Sequence, residues 1–182
     1  MTAAPSLSGE SRAWLSRHAL AAVLAAVRGS TPSPVPAEPP TEIQRAGGVF
    51  VTVRVEGRLR GCLGTLRGEE GLVEAVGRLA AAAAVRDPRF PPVRAEELPR
   101  LELEISVLGP PERCEGAADL TPGRHGIAVS LPEAGRQGVL LPSVAPERGW
   151  DGPELVRQAA LKGGIEPDHP GLRLERFEVQ SF

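Results

Sequence analysis

Lysine is almost missing from this chain: of 21 basic residues only Lys162 is a lysine, the rest being arginine. A Schiff-base mechanism would have that one side chain to use, in a helical stretch with no evident acidic or cationic neighbour to tune it. Tyrosine is absent and aromatics make up 3% of the chain, too few to interleave with arginines as a stacking platform for single-stranded nucleic acid. The formal net charge of −2 removes any general attraction to phosphate backbones, so nucleic-acid binding has only the arginine excess behind it. Two cysteines, Cys62 and Cys114, give neither a disulfide framework nor a CxxC pair. His18, His125 and His169 are scattered without the i, i+4 spacing of a zinc helix, so no metal site is expected. No apolar run reaches the length of a transmembrane helix. There is no GxGxxG, GxxxxGK[ST] or GxSxG, which leaves nucleotide-phosphate and hydrolase-elbow readings unsupported.

What is present suits one domain over residues 1–182, with 41% hydrophobic and 24% charged residues. Unpaired cysteines point to the cytoplasm, where thiols stay reduced. Arg12, Arg17 and His18 before Ala19–Val27 imitate a signal peptide, but Trp14, Leu15 and Arg28 sit where one would not place them. An amphipathic helix over Ser8–Val27 is the better reading, with Gly29 as its C′ residue. Residues 30–40, STPSPVPAEPP, form a proline-rich extended connector.

The stretch VFVTVRVEGRLRGCLGT, residues 49–65, alternates as two strands around a Glu56–Gly57 turn. Strict alternation puts Leu59, Gly61 and Leu63 on one face, and Arg60, Cys62 and Gly64 on the other. A helix follows from about Leu72, with Glu74 and Arg78 as an i, i+4 pair, stopped by RDPRFPP at 86–92. LELEISVL (101–108) is a strand, GIAVSL (126–131) and GVLL (138–141) a hairpin, and LRLERFEV (172–179) a last strand. Asp151 and Glu154 resemble a capping box opening a helix that runs to Lys162. The class is α+β: a mainly antiparallel sheet with flanking helices.

Cys62 is the first chemical candidate. Its glycine neighbours leave the sulfur unshielded, and Arg60 on the same face favours thiolate over thiol. The competing reading is a packed, inert cysteine, because free cysteine is among the most buried residue types. His125, in the glycine-flanked TPGRHGI turn, could be the base of a cysteine–histidine pair, or a turn histidine bonded within its own loop. Glu102 and Glu104 share a strand face and could serve as an acid/base pair, although such a face is more often solvated or paired with arginines. Cys114, which falls in a loop by this reading, is the internal control for thiol reactivity.

Taken together and in order, GVFVTV, LRGCLGT, DPRFPPV with EELP, LELEISVL, GRHGI, LLPSVAPERGWD and LKGGI resemble the AMME chromosomal region (AMMECR) family. Its bacterial and archaeal members are termed AmmeMemoRadiSam system protein A, and the likeness covers about residues 12–180. The resemblance implies an α+β fold with a larger subdomain holding both termini and a smaller inserted one. It also implies a setting beside a Memo-like protein and a radical S-adenosylmethionine protein. The family signature falls on Leu59, Arg60, Gly61, Cys62, Leu63, Gly64 and Thr65, with Leu63 where isoleucine is commoner. His125 matches a histidine of many members. Asp87, Arg89 and Phe90 lie in the family-like DPRFPP run, where they would line the same cleft or end the helix.

Two functions follow as expectations. One is an enzyme or enzyme component acting through Cys62, with Arg60 stabilising negative charge, His125 as base, and Gly61, Gly64, Thr65, Asp87, Arg89 and Phe90 around the substrate. The other is a non-catalytic binding or scaffold module, in which the LRGCLGT strand meets a protein partner through Gly61 and Gly64 and Cys62 only packs.

Overall fold

Ser8 opens helix α1 (Gly9–Arg28) by accepting the Ser11 N–H on its side chain, and Gly29 closes it in the left-handed region at φ 65°. The start is reinforced from outside the helix: Glu42 accepts the Ser8 N–H at 3.0 Å and the hydroxyls of Ser8 and Ser11. The structure is a computed structural model and describes residues 6–35, 37–45 and 47–182. Pro36, within the expected connector, lies outside the described residues; the rest of 30–40 forms no helix or strand. The described residues fall into two units, Ser6–Val107 with Gln180–Phe182, and Leu108–Val179.

In the first unit, strand β1 (Val49–Val55) turns through Glu56 (φ 51°) and Gly57 (φ 73°) into β2 (Arg58–Thr65). Two consecutive positive φ values are what a two-residue hairpin turn needs to match the strand twist, and glycine supplies one of them without strain. Helix α2 (Leu72–Val85) and strand β3 (Leu101–Leu108) follow. Val49, Val51 and Val53 have no exposed surface and pack with Leu15, Val23, Val76, Ala80 and Ile105 from α1, α2 and β3. Each such burial contributes roughly 2 kcal/mol, which is what fixes the strand register. Arg78 of α2 bonds Glu70 ahead of the helix, its Nε at 3.0 Å, rather than the expected Glu74, because Glu70 can reach both nitrogens of the guanidinium fork.

The second unit carries β4 (Glu112–Cys114), β5 (Gly126–Leu131), β6 (Arg136–Leu140), α3 (Val144–Arg148), α4 (Gly152–Lys162) and β7 (Arg173–Phe177). The sheet order is β4-β7-β5-β6, and the strands pair antiparallel. Cys114 therefore belongs to a strand, not a loop. Asp151 caps α4 through the Glu154 N–H at 2.9 Å, but the Glu154 carboxylate turns to Arg157 and Gln158, so only half of the expected box forms.

The expected last strand divides at Glu178, and Val179–Ser181 (β8) joins the first sheet, whose order is β2-β1-β3-β8. Ile105 and Phe182 exchange N–H to carbonyl bonds of 2.8 and 3.1 Å. The Gln180 amide clasps Leu7, accepting its N–H at 2.7 Å and donating to its carbonyl at 3.4 Å. The fold is α+β, with two antiparallel sheets and helices.

Candidate functional site

The LRGCLGT strand does not keep strict alternation. Beside the turn, Val55 faces Arg58 and Arg54 faces Leu59; beyond it, Val53 faces Gly61 and Thr52 faces Cys62, so Arg60 is an extra residue at a β-bulge. Leu59 consequently leaves the face of Gly61 and Leu63 and is partly exposed beside Arg54. Without the bulge Cys62 would stand opposite Val51, whose side chain is in the core. The bulge aims it instead at the face of Thr52, whose hydroxyl donates to Sγ at 3.4 Å.

β2 lies at the edge of its sheet, and at Cys62 both main-chain groups point off that edge. The Cys62 N–H donates to Asp87 Oδ2 at 2.9 Å, and the Cys62 carbonyl accepts from Arg89 Nη2 at 2.7 Å. Asp87 and Arg89 are themselves paired, Nε to Oδ1 at 2.9 Å and Nη2 to Oδ2 at 2.6 Å. The Asp87 side chain is 1% exposed. The Arg89 guanidinium, seconded by the Cys62 and Arg89 N–H groups, holds its carboxyl down at about 2 although burial works the other way. Phe90 supports the arrangement from the side, its ring 5.4 Å from the Arg89 guanidinium.

Arg60 is turned to other work. It pairs with Glu97 and donates to the carbonyls of Pro91 and Pro92 at 3.2 and 3.4 Å. Glu97, buried, also accepts the Arg94 N–H at 2.8 Å; that bond first, and then Arg60, keep it below the usual carboxylate range. Gly61 and Gly64 are filled from within. A Cβ on Gly61 would lie 1.9 Å from the Ala83 carbonyl oxygen of α2, and one on Gly64 would lie 2.2 Å from the Phe50 ring. Thr65 donates to the Arg67 carbonyl at 2.7 Å and shapes the exit from the strand.

His125 stands in the other unit, just ahead of β5. Its Nδ1 accepts the Thr121 N–H at 3.0 Å, and Nε2 is 3.8 Å from Glu178. A ring that accepts at Nδ1 carries its proton on Nε2 when neutral. Burial, then Arg176 and Arg124, push its pKa down, against Glu178 and Glu112. Cys114 is buried, and that burial pushes its thiol up.

Of the residues singled out in the sequence, Cys62, Asp87 and Arg89 are thus brought together directly, with Phe90 behind Arg89. Arg60 is held beside them by Glu97. Thr52 and Glu97 were not foreseen: the first depends on the bulge, the second on an ion pair across 37 residues. Among the described residues no three His, Cys, Asp or Glu side chains gather to hold a metal ion, and no helix is long and apolar enough to cross a membrane.

A family model for AMMECR1 matches residues 16–182 of this chain. The chain belongs to the AMMECR1 family. A protein of Methanothermobacter thermautotrophicus is 40% identical over 165 residues, covering 86% of this chain and 85% of its own. Protein TK0174 of Thermococcus kodakarensis is 41% identical over 183 residues, covering 93% and 88%. The crystal structure of the uncharacterised protein PH0010 from Pyrococcus horikoshii superposes with a TM-score of 0.88 at 34% identity, covering 96% of this chain and 92% of that one. The AMMECR1 fold thus extends over both units of this protein.

Proposed function

We propose that this AMMECR1 protein is an enzyme or enzyme component whose working group is the Cys62 thiol. The observation that supports this is the treatment of one residue. Asp87 and Arg89 fix both main-chain groups of Cys62, a half-buried residue whose sulfur accepts from the Thr52 hydroxyl. A nucleophile whose main chain is held by a buried carboxylate and its arginine partner loses little freedom on meeting an electrophile, which is how a preorganised site gains rate. Arg60 serves by anchoring the strand to Glu97. His125, with its proton on Nε2, would enter as a proton donor before it could act as a base. The substrate class is an electrophilic small molecule or modified peptide. Work beside a Memo-like and a radical S-adenosylmethionine protein is part of the proposal and rests on the family resemblance.

The test is complementation in a host lacking the gene, joined to intact-mass analysis of the protein recovered from it. A folded Cys62→Ser variant that fails to complement, with adducts on Cys62 but not Cys114 in the wild type, is the expected result. Full complementation by Cys62→Ser overturns the proposal. The scaffold alternative predicts that outcome, with partner capture intact in Cys62→Ala. Its contact would have to lie away from Gly61 and Gly64, since the Ala83 carbonyl and the Phe50 ring occupy those spaces.

A further inference from the structure

An edge strand offers unpaired N–H and C=O groups that template pairing with another chain. β2 is such an edge, and what covers it at Cys62 is the stretch from Asp87 to Glu97. Asp87 takes the outward N–H, and Arg89 takes the outward carbonyl. The carbonyls of Pro91 and Pro92 and the carboxylate of Glu97 tie down the bulged Arg60. Val93, by its N–H to the Ala84 carbonyl at 2.9 Å, ties the stretch to the end of α2. The cover imitates a fifth strand, yet Pro88, Pro91 and Pro92 have no N–H to extend a ladder.

We propose that residues 87–97 are an edge guard, which keeps β2 from pairing with β2 of a second copy of this chain. The exposed edge would be self-complementary. Because the N–H and C=O of Cys62 point the same way, a two-fold antiparallel pairing centred on Cys62 forms both bonds at once. That register sets Gly61 across from Leu63 and Arg60 across from Gly64, so no like charges are directly opposed. The bulge at Arg60 ends the flat stretch on one side, and the guard takes both outward main-chain groups of Cys62. This role is independent of any chemistry at the thiol.

Sedimentation velocity over a wide concentration range, on wild type, Asp87→Ala and Arg89→Ala with folding verified by circular dichroism, tests the guard. The variants should associate at least about tenfold more tightly than wild type, roughly the gain of one net hydrogen bond. A short bis-maleimide should then join two chains through Cys62, and the same variants carrying Cys62→Ser should give no covalent dimer. Folded variants that sediment as wild type does overturn the proposal, as does association without a Cys62 crosslink. If Asp87→Ala does not fold, Arg89→Ala decides, since that side chain is half exposed and its loss uncovers the Cys62 carbonyl and removes the partner that holds Asp87 in place.

Discussion

Replacing Asp87 by asparagine changes little in shape and removes the charge that Arg89 faces. Arg89 above all, with the Cys62 N–H behind it, lowers the Asp87 pKa from 3.8 to about 2. At about 1.4 kcal/mol per pH unit, the ionised carboxylate stabilises the fold by about 2–3 kcal/mol near neutrality. Asparagine resembles the protonated acid and should forfeit that amount, lowering the midpoint of thermal unfolding by roughly 5–10 °C in a chain of this size. The assay is unfolding followed by Trp14 fluorescence in a Trp150→Phe background, because buried Trp14 lies in the unit that holds Asp87. The sign in pH is fixed as well. A depressed carboxylate contributes fully above its ordinary pKa and loses the contribution as pH falls through about 2. The gap between wild type and Asp87→Asn should therefore narrow from about pH 4 downward. Equal midpoints near neutrality, or a gap indifferent to acid, would refute the reasoning.

Gly61→Ala should cost more than about 3 kcal/mol in urea unfolding, because the Ala83 carbonyl it would strike is main chain and cannot swing aside. Gly116→Ala, with open space around it and extended backbone, should be neutral or stabilise by about 0.5 kcal/mol in the same assay. In maleimide labelling of the native protein, Cys62 should react well ahead of Cys114, whose thiol is both buried and pushed up; equal rates would contradict the burial. His125 is depressed in the fold, so the unfolded chain takes up its proton first, and stability of the Leu108–Val179 unit should fall below about pH 6.5. His125→Gln should flatten that slope when unfolding is followed by Trp150.

The hairpin was legible because three signals agreed: valines at every second position, β-branched residues in the strands and a Glu–Gly turn. The bulge was not, since alternation counts residues and a bulge adds one without any change in composition. That one residue decided which side chain faces Thr52. Elements of three to five residues, β4, α3 and β8, show no period of their own and exist through pairing with distant strands or by local capping. At the site, the likeness to a family put Cys62, Asp87 and Arg89 on the same page. Their contact is side chain to main chain across 25 and 27 residues, which no local pattern encodes. Arg60 was expected to serve the sulfur by proximity in sequence, but a carboxylate 37 residues on takes up its charge.

The first sheet also carries a constraint on timing. Residues 6–107 emerge from the ribosome early, yet the strand that completes their sheet, and the Gln180 clasp on Leu7, come only after the whole of Leu108–Val179 has been made. Until then β3 has a bare flank where β8 will sit, while the intervening unit can already fold on contacts of its own. The nascent chain is thus most exposed to wrong strand partners on the side opposite Cys62, for as long as translation of the second unit lasts.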